Sequence, residues 1–253
     1  MTESKGPYYF ANKAKDEIIS GPTTPIAESL FLKEVQVGNG SGADASVAFG
    51  YKLPVAKWKA GQWDDSESVS YIDDTTHAQD ATANNFALTT TTNNDGFVIQ
   101  SSEKFNIVGL TVGTIQAGSP VFEYTYWNGS AWSTLATLSS PDFTAAADTY
   151  LVFNEPVDWA ALSSADTPVA TDGLTANYFA IRVRATTAPS TAPIANIAWV
   201  IKLLDYIKTI PNGYAAVRTS VEGIKVPPGH AIVPYCSTAS SANWIIIEYK
   251  KGP

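Results

Sequence analysis

The sequence predicts an all-β fold: an antiparallel, jelly-roll-like β-sandwich inserted in a smaller β domain, with an extended N-terminal arm. Three observations predict it. Between residues 69 and 206, short runs rich in Val, Ile, Thr, Tyr, Phe and Trp are separated by Gly, Asn, Asp and Pro turn signals every roughly 8–12 residues. No strand-like run alternates with a helical stretch in the way a parallel sheet requires. The runs near the two chain ends are shorter and marked by proline, and they resemble each other more than they resemble the middle. The expected organisation is an arm over 1–28, a small β domain from 29–60 with 207–253, and the inserted sandwich over 61–206.

The arm is set apart by Pro7, Pro22 and Pro25, with Gly6 and Gly21 between them. Residues 12–19 have room for a short helical segment. Tyr8, Tyr9 and Phe10 are adjacent rings that a free tail does not need, so they either fold back on the parent domain or dock on a neighbouring subunit. From Leu30 the pattern becomes β. Residues 30–37 end in alternation, Gly38-Asn39-Gly40-Ser41-Gly42 is a turn, and Val47, Phe49 and Tyr51 share one face of the next run. That glycine loop is not a phosphate cradle, because it lacks a Lys-Ser/Thr ending and precedes a strand instead of a helix. Trp58 and Trp63 fall in the linker that follows.

In the middle of the chain, Asn93-Asn94-Asp95-Gly96 is a strong turn before Phe97-Val98-Ile99, and residues 105–112 form another strand. Residues 122–136 read as a hairpin about Asn128-Gly129, a pair that tolerates the positive φ of a tight turn. Residues 178–185 alternate, with Phe179, Ile181 and Val183 on one face and Arg182 and Arg184 on the other. Residues 197–204 form a long strand. Near the end, Pro211-Asn212-Gly213 and Pro227-Pro228-Gly229 are turns, and Pro234 marks its run as an edge strand or a bulge.

Composition narrows the function. The 253 residues carry a formal net charge of -8 and only 16% charged residues. An acidic chain with few cations suits neither a nucleic-acid backbone nor an anionic membrane surface. No apolar run reaches the ~18 residues of a membrane-spanning helix. The first residues lack the apolar core of a secretory leader, so synthesis and folding in a cytoplasm are expected. The one cysteine, Cys236, excludes an intrachain disulfide and reads as core packing.

Catalytic chemistry is sparse. His77 and His230 are the only histidines, and no metalloprotease motif, Cys pair or nucleophile elbow occurs. His230 reads as a loop residue. Asp64, Asp65, Glu67, Asp73, Asp74 and Asp80 form an acidic segment whose spacing does not match an EF-hand, and it reads as a solvated loop instead of a calcium site. No metal, no cofactor and no enzymatic activity are expected. The densest aromatic cluster, around Tyr126, Trp127, Asn128 and Trp132, has two readings. Aromatic cross-strand pairs staple hairpins, which is the commoner case, but the same residue types also form sugar-binding platforms.

Phe105-Asn-Ile-Val-Gly-Leu110, Tyr124-Thr-Tyr-Trp-Asn-Gly-Ser-Ala-Trp-Ser-Thr-Leu135, Phe153-Asn-Glu-Pro-Val-Asp-Trp159 and Tyr178-Phe-Ala-Ile-Arg-Val-Arg184, in that order, resemble a jelly-roll module of tailed-bacteriophage virion proteins and some bacterial surface proteins. Ile210-Pro-Asn-Gly213, Val226-Pro-Pro-Gly-His-Ala-Ile-Val233 and Asn243-Trp-Ile-Ile-Ile-Glu-Tyr249 resemble a small β domain of phage particles. Residues 1–28 lie outside the resemblance. It implies a structural role: decoration or cementing of a capsid through the arm and small domain, with capsid or other virion proteins as partners. It also implies a homo-oligomer, such as a trimer, and location in the virion. The alternative it implies is a neck, tail or fibre component whose jelly roll binds a host surface glycan.

Overall fold

The structure is a computed structural model that describes residues 2–10, 14–15, 17, 19–20, 29–80, 85–204 and 207–252. It is all-β, with antiparallel sheets. The strands are β1 (Thr2–Phe10), β2 (Ile19–Ser20), β3 (Ser29–Gly38), β4 (Ala45–Lys52), β5 (Trp58–Trp63), β6 (Tyr71–Asp73), β7 (Phe86–Ala87), β8 (Gly96–Ser101), β9 (Ile107–Thr114) and β10 (Val121–Trp127). They continue with β11 (Trp132–Thr134), β12 (Thr137–Ser139), β13 (Asp148–Phe153), β14 (Phe179–Thr187), β15 (Ile194–Leu203), β16 (Lys208–Ile210), β17 (Ala215–Val226), β18 (Ala231–Cys236) and β19 (Asn243–Gly252). Two short helices, α1 (Thr75–Gln79) and α2 (Thr167–Ala170), lie in loops. The chain divides into two compact units, 1–54 with 201–253, and 55–200.

In the first unit one sheet has the order β1-β19-β3-β17, and β4 and β18 form the heart of the other. Leu32, Val35 and Val37 of β3, Val47, Phe49 and Tyr51 of β4, Ile232 of β18 and Ile245 and Ile247 of β19 make a common core. Leu32 and Val35 both face inward although three residues apart, because the pairing of β3 with β19 slips between Glu248 and Tyr249 and absorbs the change of phase. β2 reaches only Ala231 and Ile232 of β18, whereas Pro234 pairs with Phe49 on the β4 side. A residue without an N–H is tolerated at such a half-open position.

Residues 2–10 correct the reading of 1–28 as an arm outside the core. They form the edge strand of a sheet, paired with β19 from Thr2↔Lys250 to Phe10↔Asn243. Phe10 is only 2% exposed within the core of its own unit and Tyr8 packs against that core, while Tyr9 is 65% exposed. Burial of one phenylalanine, worth about 2 kcal/mol, rewards the ordering of this strand. Of the helical segment read over 12–19, Ala14 is buried and Ile19 begins β2, while residues 11–13, 16 and 18 lie outside the described residues, as do 21–28.

In the second unit one sheet runs β11-β10-β14-β8-β5-β6, and β12, β13, β9 and β15 form the other, with β7 beside β15. Phe97, Ile99, Ile181 and Val183 of the first and Ile107, Leu110 and Leu151 of the second are at most 1% exposed. Phe86 of β7 meets Phe97 of β8 edge to face, with ring centroids 6.1 Å apart. Trp58 and Trp63, read as linker, are instead the first and last residues of β5, both buried, which is why the unit begins at 55 and not at 61.

Candidate functional site

The face of the β11-β10-β14-β8-β5-β6 sheet that carries Arg182 gathers the unit's charged and aromatic chemistry. Register fixes the layout. Arg182 on β14 lies between Thr125 on β10 and Val98 on β8, and Arg184 lies between Glu123 and Gly96. Trp63 on β5 pairs with Gly96, and Trp132 on β11 pairs with Trp127. The two tryptophans therefore approach Arg182 from opposite corners of the sheet. Its guanidinium carbon sits 4.6 Å from the Trp63 ring centroid and 4.4 Å from that of Trp132. The two indoles meet edge to face at 6.0 Å, and Trp132 meets Trp127 likewise at 5.8 Å.

The long loop between β13 and β14 covers part of this face. Leu162 and Leu174 pack with Trp63, Tyr71, Val98, Trp127 and Ala180. Trp127 Nε1 donates to Asp166 at 2.9 Å, and the same carboxylate accepts from the Ser163 amide and hydroxyl, each at 2.8 Å. The Ser163 amide, then its hydroxyl, hold the Asp166 carboxyl below its ordinary pKa, with Trp127 adding to the effect.

Arg184 is fully engaged, with Nε and Nη2 each 2.6 Å from Glu123 Oε1 and Nη1 3.5 Å from Asp65. Arg182 is not: its Nη2 lies 4.0 Å from Glu123 Oε1. Burial, then the like charge of Arg184, push the Arg182 pKa down to about 10, against the opposing pull of Glu123, Asp65 and Asp172. It remains a cation at neutral pH.

The hairpin residues form no flat exposed platform. Trp127 is 5% exposed and Tyr126 8%. Tyr126 donates its hydroxyl to Asp158 at 2.7 Å, and that bond first, then burial, raises its pKa. Asn128 is spent on its own turn: Oδ1 accepts from the Ser130 and Ala131 amides, each at 2.9 Å, and Nδ2 donates to Ser133 Oγ at 2.8 Å. The turn also differs from the two-residue form expected. β10 and β11 are joined through residues 128–131, Gly129 takes φ 95°, and Asn128 is not at positive φ. Its side chain closes the loop instead. Only Trp132, half-buried beside Arg182, keeps part of its ring at the surface.

Tyr8, Tyr9 and Phe10 belong to the other unit. Among the described residues no group of three His, Cys, Asp or Glu side chains is arranged to hold a metal. In the acidic segment Asp64 accepts from Ser66, Asp73 from the Thr75 amide, and Asp74 lies 2.6 Å from His77 Nδ1. His230 lies in the loop between β17 and β18, as expected, but it is 2% exposed there and stands edge to face with Tyr51 at 5.7 Å. Cys236 is buried. Sequence reasoning missed Trp63 and Arg182 as site residues. The alternation placed Arg182 on the face away from Ile181, but nothing local says that two tryptophans from distant strands flank it.

No family model matches this chain, and neither a curated protein nor a solved structure does. Among the described residues no helix is long and apolar enough to cross a membrane.

Proposed function

We propose that this chain is a non-enzymatic structural protein of a tailed-phage particle, one that decorates or cements the capsid surface through its N-terminal segment and its smaller unit. The observation that carries the reading is how the polar groups are spent. Asp64, Asp73, Asp142 and Asp166 accept from residues two or three positions away, Asp158 from Tyr126, and Glu123 and Asp65 are paired with Arg184. A hydrolase needs an acid and a base turned toward its substrate. Here the carboxylates stiffen turns on a β frame, which suits a protein whose work is to hold a shape. The resemblance of residues 105–184 and 210–249 to virion modules supplies the setting. In this reading the chain assembles as a homo-oligomer, such as a trimer at a symmetry position of the shell, with virion proteins as partners, after synthesis in a host cytoplasm.

Mass spectrometry of density-banded particles from a producing culture tests it. The chain is expected in the particles at a fixed ratio to the shell proteins. Recovery only from the particle-free lysate overturns the proposal.

A further inference from the structure

We infer that the outer face of the β11-β10-β14-β8-β5-β6 sheet carries a carboxylate-recognition site centred on Arg182, and that its ligand is a carboxylate-bearing saccharide of the uronic-acid class. This goes beyond a structural role in a particle.

The first support is an unspent cation. A guanidinium has five N–H donors and no acceptor. Among the described residues none of the five donors of Arg182 has a hydrogen-bond acceptor. The nearest carboxylate oxygen, on Glu123, is 4.0 Å away and already held by Arg184 at 2.6 Å. Arg182 has 8% of its side chain exposed, and that exposure excludes Nε, which is buried without a partner. The Trp63 Nε1–H in the same stack is also buried without an acceptor. Buried donors without acceptors are costly, and stacking on two rings offsets only part of that cost. Nothing in the fold of the sheet requires an arginine here, since the row it occupies holds Val98 and Gly61 on one side.

The second support is shape. The ring centroids of Trp63 and Trp132 stand 4.6 and 4.4 Å from the guanidinium carbon but 6.0 Å from each other, so the indoles flank the guanidinium on adjacent sides and leave its remaining edge to a partner. In-plane donors of a guanidinium fit the two oxygens of a carboxylate in a bidentate pair. The side chain is already clamped, so little conformational freedom remains to be lost on binding.

The third support concerns what bears the carboxylate. Asp65, Glu123 and Asp172 surround the cation, and the whole chain is at -8. Clustered acids on a peptide are repelled by such a rim. A single carboxylate among neutral hydroxyls is repelled far less. Beside the guanidinium, half-buried Trp132 offers ring surface and exposed Thr134 a hydroxyl. The apolar face of a pyranose ring carrying the carboxylate packs on an indole in the way other apolar surfaces do.

Nuclear magnetic resonance of the full ¹⁵N-labelled chain, titrated with sodium glucuronate, tests the site. Saturable movement of the Arg182 Nε–H and Trp63 Nε1–H signals is expected, with none from glucose at the same concentration. Arg182→Met is expected to abolish the Trp63 response. Glu123→Gln, which removes the competing carboxylate, is expected to tighten glucuronate binding severalfold, and it carries the test should Arg182→Met fail to fold. Absence of a saturable response to glucuronate, an equal response to glucose, or unchanged affinity in Glu123→Gln overturns the site. A stronger response to an N-acetyl-diglutamyl amide than to glucuronate overturns the saccharide assignment and points to a protein partner.

Discussion

Gly109→Ala is a severe test of how the larger unit is packed. Gly109 lies in β9 opposite Tyr150 of β13, with the ring of Trp199 from β15 laid across it. A Cβ at this position falls 2.1 Å from Trp199 Cε2 and 2.4 Å from both Cζ2 and Nε1. Carbon atoms in good contact stand about 3.5–4.0 Å apart, so the indole has to retreat by more than an ångström. It has little room to do so. Trp199 is 2% exposed and meets Tyr150, itself 5% exposed, edge to face at 5.9 Å. Overpacking a tight core costs about 1–3 kcal/mol, and the rigid neighbours place this substitution at about 3 kcal/mol. For a unit of this size that corresponds to a fall of about 6–12 °C in Tm, read by differential scanning calorimetry with urea unfolding as the second measure. Gly42→Ala separates sterics from backbone strain. Gly42 has φ +91° and nothing within 4 Å of its would-be Cβ, so its cost of about 1–2 kcal/mol is purely conformational. The Gly109→Ala cost should shrink in a Trp199→Leu background, giving a coupling of about 1 kcal/mol or more. A Gly109→Ala loss below that of Gly42→Ala, or strict additivity with Trp199→Leu, refutes the packing argument.

Arg182→Met should leave stability unchanged or raise it by about 1 kcal/mol, because it removes a desolvated charge with no hydrogen bond to lose; a loss above about 2 kcal/mol in urea unfolding shows that its donors are satisfied after all. Asp166 has its carboxyl pKa depressed in the folded state, so the stabilisation is intact above the ordinary carboxylate value near 3.9 and is lost as pH falls through the lower folded value. Asp166→Asn should therefore flatten the acid limb of the Tm–pH profile, and an unaltered slope contradicts the bond network at Ser163 and Trp127. Tyr51 and Tyr235 are both pushed up to about 12 by burial, so their contribution is complete below pH ~10 and disappears as pH rises through about 12. Phenolate absorbance should show Tyr51 and Tyr235 among the late-titrating tyrosines, with Tyr71 pushed higher still by burial, and early titration of Tyr51 or Tyr235 contradicts its burial. Tyr51→Phe, which deprives the Lys225 carbonyl of a donor at 2.7 Å, should cost about 1–2 kcal/mol in the smaller unit.

The sequence made some of this legible because a strand's facing is a local property. Period-two alternation put Phe179, Ile181 and Val183 on one face and Arg182 and Arg184 on the other, and in β14 Arg182 and Arg184 do share a face, both reaching Glu123. The same locality explains what was missed. Trp58 and Trp63 flank Lys59-Ala60-Gly61-Gln62, a stretch too poor in β-branched residues to read as a strand, yet pairing with β8 on one side and β6 on the other holds it. That pairing is decided by partners, not by propensity. Phe10 had two equal readings because a core on its own chain and a core on a neighbour reward an apolar ring alike. The hairpin at Asn128 was found, but its loop was misjudged, since an asparagine can serve a turn through its backbone or through its side chain.

Arg182 shows the limit most sharply. Two arginines on one face of β14 look alike in the sequence, and Arg184 is tied to Glu123 and Asp65. What sets Arg182 apart is its row. Trp63 enters through β5–β8 pairing and Trp132 through β10–β11 pairing, and a slip of one residue in either would turn that indole to the opposite face. The stack thus needs two independent registers to hold at once. A β-sheet surface assembled for stability alone has no need of such agreement around a cation without an acceptor, since a methionine fills the space between two indoles at less cost. The charge is retained where its desolvation is least favourable, and an acceptor supplied from outside the chain is what gives that expense a use.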